Sequence, residues 1–123
     1  MIIAIVQARM GSTRFPGKVL ADIVGRPMLW HVVNRVSHAK LVERVVVATS
    51  NKETDDAIAD FCNREGVLCF RGSEDDVLDR FYQAACQFSA DTVVRITADC
   101  PLIDPIVVDK VIQAYQVGNY DYV

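Results

Sequence analysis

No apolar run in the chain approaches the roughly 20 residues of a membrane-spanning helix. The opening hydrophobic stretch, Ile2 to Val6, is short and lacks the basic start of a signal peptide. A cytoplasmic protein is therefore expected. The four cysteines, Cys62, Cys69, Cys86 and Cys100, show no C-x-x-C spacing, so neither a zinc site nor a disulfide framework is expected. They read as reduced, largely buried small hydrophobes. There is no internal repeat and no low-complexity segment. Positive charge is not in excess either: 13 basic against 16 acidic residues leave a net charge of −3, which argues against a nucleic-acid or membrane-surface binder. G-x-G-x-x-G is missing, and no Ser, His and Asp arrangement offers a hydrolytic triad. His31 and His38 both fall on one expected helix and read as structural or solvated.

One further absence is local. No Asp or Glu occurs before Asp22, yet Arg9, Arg14 and Lys18 all lie in the stretch Gln7 to Lys18, QARMGSTRFPGK. A loop with that much uncompensated charge repels itself unless an anion sits in it, and phosphate is the expected guest. Ser12 and Thr13 can donate to phosphate oxygens, while Gly11 and Gly17 would let backbone amides turn toward the ligand. It is not a Walker P-loop. Five residues rather than four separate Gly11 from Gly17, and Val19 follows Lys18 where a metal-binding hydroxyl is required.

The rest of the chain alternates strand and helix. Ile2 to Val6 is apolar and β-branched, as a strand buried on both faces should be. Val19 to Val24 reads as a short extended piece, Pro27 to His38 as a helix, Val42 to Ala48 as a strand and Val67 to Phe70 as another. Between those strands a helix starts with Thr54 as its cap and stops at Gly66. A third helix runs from Glu74 to Phe88 with Ser73 and Asp76 as a capping box and Val77, Leu78, Phe81, Ala84 and Ala85 inward. Asp91 to Thr97 makes a fourth strand, and Asp104 caps a helix from Pro105 to Val117. Short links between alternating elements predict a three-layer α/β/α fold with a mostly parallel sheet. Its ligand site should lie at the carboxyl ends of the strands. Asp99, at the end of the fourth strand, is the candidate metal ligand, because Mg²⁺ takes only one or two protein carboxylates and completes its shell with water and phosphate. Arg9 and Lys18 then neutralise the β- and γ-phosphates of a nucleoside triphosphate; Arg14 either joins them or faces solvent. Arg95 is expected to pair with a neighbouring acid.

The order of Q-A-R-x-G-S-T-R-x-P-G-K, an apolar stretch and G-R-P-M-L resembles the amino-terminal signature of sugar nucleotidyltransferases. It is most similar to the cytidylyltransferases that activate acidic sugars, of the acylneuraminate and 3-deoxy-manno-octulosonate type. Within them, R-G-S-E-D-D-V-L-D-R-F-Y resembles the spore-coat polysaccharide branch. The resemblance implies a Rossmann-like, glycosyltransferase-A-type nucleotide-binding half spanning residues 1–123, with a second half to follow. It also implies Mg²⁺-dependent transfer of a nucleoside monophosphate to a sugar, CTP being the favoured donor, with Asp99 on the metal. It places the base against Gln7, Ala8, Thr49, Arg71 and Ser73. A homodimer is a candidate assembly. GTP- or UTP-using relatives of the same fold, and a non-catalytic nucleotide-binding fragment, are the alternatives.

Overall fold

The computed structural model describes residues 1–11, 17–99 and 101–118. Strand β1 (Ile2–Gln7) is fully enclosed from Ile3 to Val6. A 3-10 turn at Lys18–Leu20 leads into a small antiparallel hairpin, β2 (Asp22–Ile23) and β3 (Arg26–Pro27), and then helix α1 (Met28–Ser37). Next come β4 (Arg44–Ser50), α2 (Asp56–Glu65), β5 (Leu68–Gly72), α3 (Val77–Gln87), β6 (Thr92–Thr97) and α4 (Pro105–Val117). The four long strands form one parallel sheet in the order β5-β4-β1-β6.

Period-2 alternation sorts the strand side chains between two layers. Ala4, Val6 and Val47 meet Leu29, Val32 and Val36 of α1, Ile58, Phe61 and Cys62 of α2, and Val108 and Ile112 of α4. On the opposite face Ile3, Ile5, Val46 and Ala48 meet Phe81 and Ala84 of α3. The three-layer α/β/α arrangement expected from the sequence is therefore present, with a single helix covering the second face. Helix ends follow local chemistry. Gly66 takes the left-handed conformation, φ 68°, that terminates α2, and the Asp104 carboxylate accepts from the Ile106 amide at 2.8 Å to cap α4.

Several local expectations are corrected. Val19 to Val24 is a 3-10 turn and one hairpin arm rather than one extended piece. Thr54 does not cap α2: it lies in a 3-10 turn, Glu53–Asp55, and the buried residue there is Asp55. Helix α3 begins at Val77, because the Asp76 carboxylate accepts from the Asp79 amide and stops the helix there. Leu78 is 81% exposed rather than inward. Arg95 places its guanidinium over the Phe81 ring at 5.2 Å and makes no ion pair among the described residues. Of the cysteines only Cys62 is buried; Cys69 is half-buried, Cys86 is exposed, and Cys100 lies outside the described residues. The contact between Cys62 and Cys69 pushes the Cys62 thiol up, with burial adding to it, and pulls Cys69 down.

The hairpin is fastened to α1 by His31, whose Nε2 donates to the Ile23 carbonyl at 2.6 Å, and by the Met28 amide on the Ala21 carbonyl at 2.9 Å. Trp30 is half-buried with the Arg26 guanidinium 4.7 Å over its ring. The two residues of the hairpin turn, Val24 and Gly25, have φ of 51° and 84°. A turn with both central residues left-handed matches strand twist, and it suits Asn or Gly far better than a β-branched side chain. Val24 is 92% exposed, so nothing it packs against offsets the strain. Val24→Asn is expected to stabilise the domain by about 1 kcal/mol, read as a higher denaturant midpoint at unchanged slope.

Candidate functional site

Register brings the strand ends together. Gln7 stands opposite Ala48 on one side and Thr97 on the other, and Thr49 stands opposite Arg71. The ladders continue one step further: the Ala8 amide donates to Ala48 at 3.0 Å, the Ala98 amide to Gln7 at 3.1 Å, and the Asn51 amide to Gly72 at 2.9 Å. From β1 the chain steps outward through β4 to β5, then returns across the sheet to β6 on the other flank of β1. The order therefore reverses at β1, and a crevice opens between loops that diverge there. The loops bordering it are the one carrying Arg9 and Lys18 and the one carrying Asp99. Both emerge at the same carboxyl edge, from adjacent strands.

The loop after β1 is closed at its base. The Gly17 amide donates to the Met10 carbonyl at 2.8 Å, with Gly17 at φ 73°, and the Met10 amide donates to Asp55 Oδ1 at 2.7 Å. The Gly17 amide is thus committed to closing the loop rather than turned toward a ligand. Gly11 is not left-handed and has open space where a Cβ would stand, so the backbone there does not demand glycine. Arg9 and Lys18 are exposed, Gln7 is half-buried and Ala8 is buried. Ser12, Thr13 and Arg14 lie outside the described residues.

The loops after β4 and β5 are bound to each other. Arg71 donates through Nε to the Ser50 carbonyl at 2.9 Å and through Nη2 to the Lys52 carbonyl at 2.8 Å, and Nη1 lies 2.8 Å from Asp56. Lys52 in turn pairs with Glu74. The Ser73 hydroxyl accepts from the Asp76 amide at 3.2 Å. Thr49 is fully buried, and its hydroxyl has no hydrogen-bond partner among the described residues. Asp99 is exposed directly beyond β6. Among the described residues no group of three His, Cys, Asp or Glu side chains converges on a metal position. A lone exposed carboxylate at this edge suits Mg²⁺, which needs few protein ligands when phosphate supplies the others.

Two residues here were not singled out from the sequence. Asp55 is 2% exposed and accepts from both the Met10 amide and the Ser50 hydroxyl, so one carboxylate ties the β1 loop to the end of β4. Its sequence signal, an acid beside Asp56 at a helix start, is the same as that of an ordinary first-turn acid. Arg80 is 1% exposed on the inner face of α3. Its signal was legible: Val77, Arg80, Phe81 and Ala84 share the i, i+3, i+4, i+7 stripe, and a cation on a buried stripe is out of place. Asp55→Ala leaves the buried Met10 amide without an acceptor and is expected to cost about 1–3 kcal/mol. Thermal unfolding and loss of hydrogen-exchange protection at the Met10 amide measure it; an unchanged Met10 amide would contradict the anchoring role.

Similarity to known proteins agrees with this geometry. The cytidylyltransferase family profile matches residues 3–123. The spore coat polysaccharide biosynthesis protein SpsF of Bacillus subtilis is 41% identical over 99% of this chain and 53% of its own length. A 3-deoxy-manno-octulosonate cytidylyltransferase of Geobacter metallireducens is 40% identical over 90% of this chain and 43% of its own length. The chain thus spans about half the length of these curated relatives. Among solved structures, a cytidylyltransferase from Leptospira borgpetersenii superimposes with a TM-score of 0.89 at 36% identity, covering 95% of this chain and 49% of that one. A CMP:2-keto-3-deoxy-manno-octonic acid synthetase complexed with CTP does so with a TM-score of 0.81 at 31% identity, covering 96% of this chain and 48% of the other. By its matched length and by the layout of its strand-end loops, the chain belongs to the cytidylyltransferase family.

Proposed function

We propose that this chain is the nucleotide-binding half of a Mg²⁺-dependent sugar nucleotidyltransferase that transfers CMP from CTP to a sugar. The observation that carries this is the switch point at β1, where a cation-bearing loop and an acid-bearing loop leave adjacent parallel strands. The similar synthetase that was solved with CTP supports the choice of nucleotide.

In this reading an oxygen of the sugar attacks the α-phosphorus, a new P–O bond forms, and the bond to the bridging oxygen of the β-phosphate breaks. Pyrophosphate leaves, and the hydroxyl proton passes to solvent or base. Arg9 and Lys18, both exposed beside the crevice, neutralise the charge that grows on the departing phosphates. Ser12, Thr13, Arg14 and the Gly11 backbone would complete the phosphate contacts. Asp99 would hold Mg²⁺, which when bound withdraws charge from the phosphate oxygens. Gln7, Ala8, Thr49, Arg71 and Ser73 would border the base. The unpartnered Thr49 hydroxyl is the best suited of these to a direct contact, since Arg71 already has three partners.

Calorimetry with CTP, GTP, UTP and ATP in Mg²⁺ tests the nucleotide: CTP should bind, and equal weak binding of all four would remove the cytidine assignment. Lys18→Met should weaken CTP binding about tenfold or more, the loss of one charge-assisted contact to phosphate. Pyrophosphate release with CTP and acidic sugars, measured on this chain together with its carboxyl-terminal continuation, tests turnover. CTP binding without any product would favour the non-catalytic alternative.

A further inference from the structure

Arg80 occupies a position that works against its charge. It is 1% exposed, it lies in the first turn of α3, where the helix dipole disfavours a cation, and it satisfies only part of its fork. Nη1 donates to the Ser73 carbonyl at 3.0 Å, while the buried Nε and Nη2 have no hydrogen-bond partner among the described residues. A buried guanidinium with unmet donors is costly. Burial pushes its pKa below the ordinary value, and the charge of the nearby Arg9 pushes it further in the same direction. Asp55 and, more weakly, Glu74 act against this, and both are otherwise engaged, with Met10 and Ser50 and with Lys52.

The backbone makes room for this arrangement. A Cβ at Gly72 would stand 2.8 Å from the Phe70 ring and 3.3 Å from Arg80 Cγ, so glycine at the end of β5 is what admits the arginine stem. All the groups around the guanidinium, Ser73, Glu74, Asp55 and Arg9, belong to the strand-end loops of the candidate site. Two cations held near each other with free donors on the buried one form an incomplete anion site.

We propose that Arg80 is a further ligand-holding residue of this site: together with Arg9 it takes up a phosphate group of the bound nucleotide, and its free Nε–H and Nη2–H are the donors. This rests on the nucleotide-binding reading above and adds a residue to it. The Ser73 bond and the Phe70–Gly72 slot fix the fork in place beforehand, so little side-chain entropy is lost when phosphate arrives.

Calorimetric titration of wild type, Arg80→Gln and Arg80→Lys with CTP, CDP, CMP and cytidine tests the proposal. Arg80→Gln should weaken CTP binding by about ten- to a hundredfold, as expected for a lost charge-assisted contact. The loss should shrink along the series and vanish for cytidine, and Arg80→Lys should recover part of it. An equal loss for all four ligands, or none for CTP, overturns the proposal while leaving the nucleotidyltransferase reading intact. A wild-type chain that binds no cytidine nucleotide overturns both. Should Arg80→Gln fail to fold, the wild-type protein decides: the Arg80 Nε–H resonance should shift on adding inorganic pyrophosphate, and an unmoved resonance overturns the proposal.

Discussion

Strand β1 is enclosed on both faces from Ile3 to Val6 and hydrogen-bonded along both edges, to β4 and to β6. The rest of the molecule depends on that constraint. A strand with no free face and no free edge must be short, apolar and parallel to its neighbours, and whatever follows it must leave at the sheet's end. The residues that follow are the most basic in the chain. Their location beside the β6 loop is therefore a result of hydrogen-bond register, and the scaffold places charge at the crevice before any ligand contributes.

Charge is arranged in two tiers at that edge. The outer tier is exposed: Arg9, Lys18 and Asp99. The inner tier is buried: Asp55 and Arg80, 2% and 1% exposed. Exposed charges lose little to solvent and contribute little to folding, whereas the buried ones must be held by specific partners. Asp55 has such partners in the Met10 amide and the Ser50 hydroxyl and acts as a structural clamp. Arg80 has one hydrogen bond for a three-nitrogen fork. The contrast separates a buried charge that completes the scaffold from one that the scaffold leaves incomplete.

Most of the architecture was legible because it rests on periodicity. The apolar run of β1, the helical spacing of Met28, Leu29, Val32 and Val36, and the Asp104 cap all appear where their patterns put them. What was misplaced depends on competition between nearby groups of the same kind. Asp75, Asp76 and Asp79 all lie near the start of α3, and only geometry shows that Asp76 is the cap. Thr54 and Asp55 could each have served α2, but a long-range partner, the Met10 amide, claims Asp55. Arg95 is aromatic-stacked because Phe81 of the covering helix reaches it across the sheet face. Leu78 faces outward because the helix begins three residues later than its acidic prelude suggests, which turns the buried stripe onto Arg80. In the site, the sequence pointed to the right edge and the right loops, but not to the two buried charges beneath them.

The closed base of the β1 loop has a consequence for how this fold can change. With Met10 pinned to Gly17 and to Asp55, the chain enters and leaves the intervening segment at one fixed gate. Side chains beyond that gate can be exchanged without disturbing the sheet, since no ladder bond passes through them. A new ligand preference could then evolve there at almost no cost in folding, while a change at the gate itself would be felt by both.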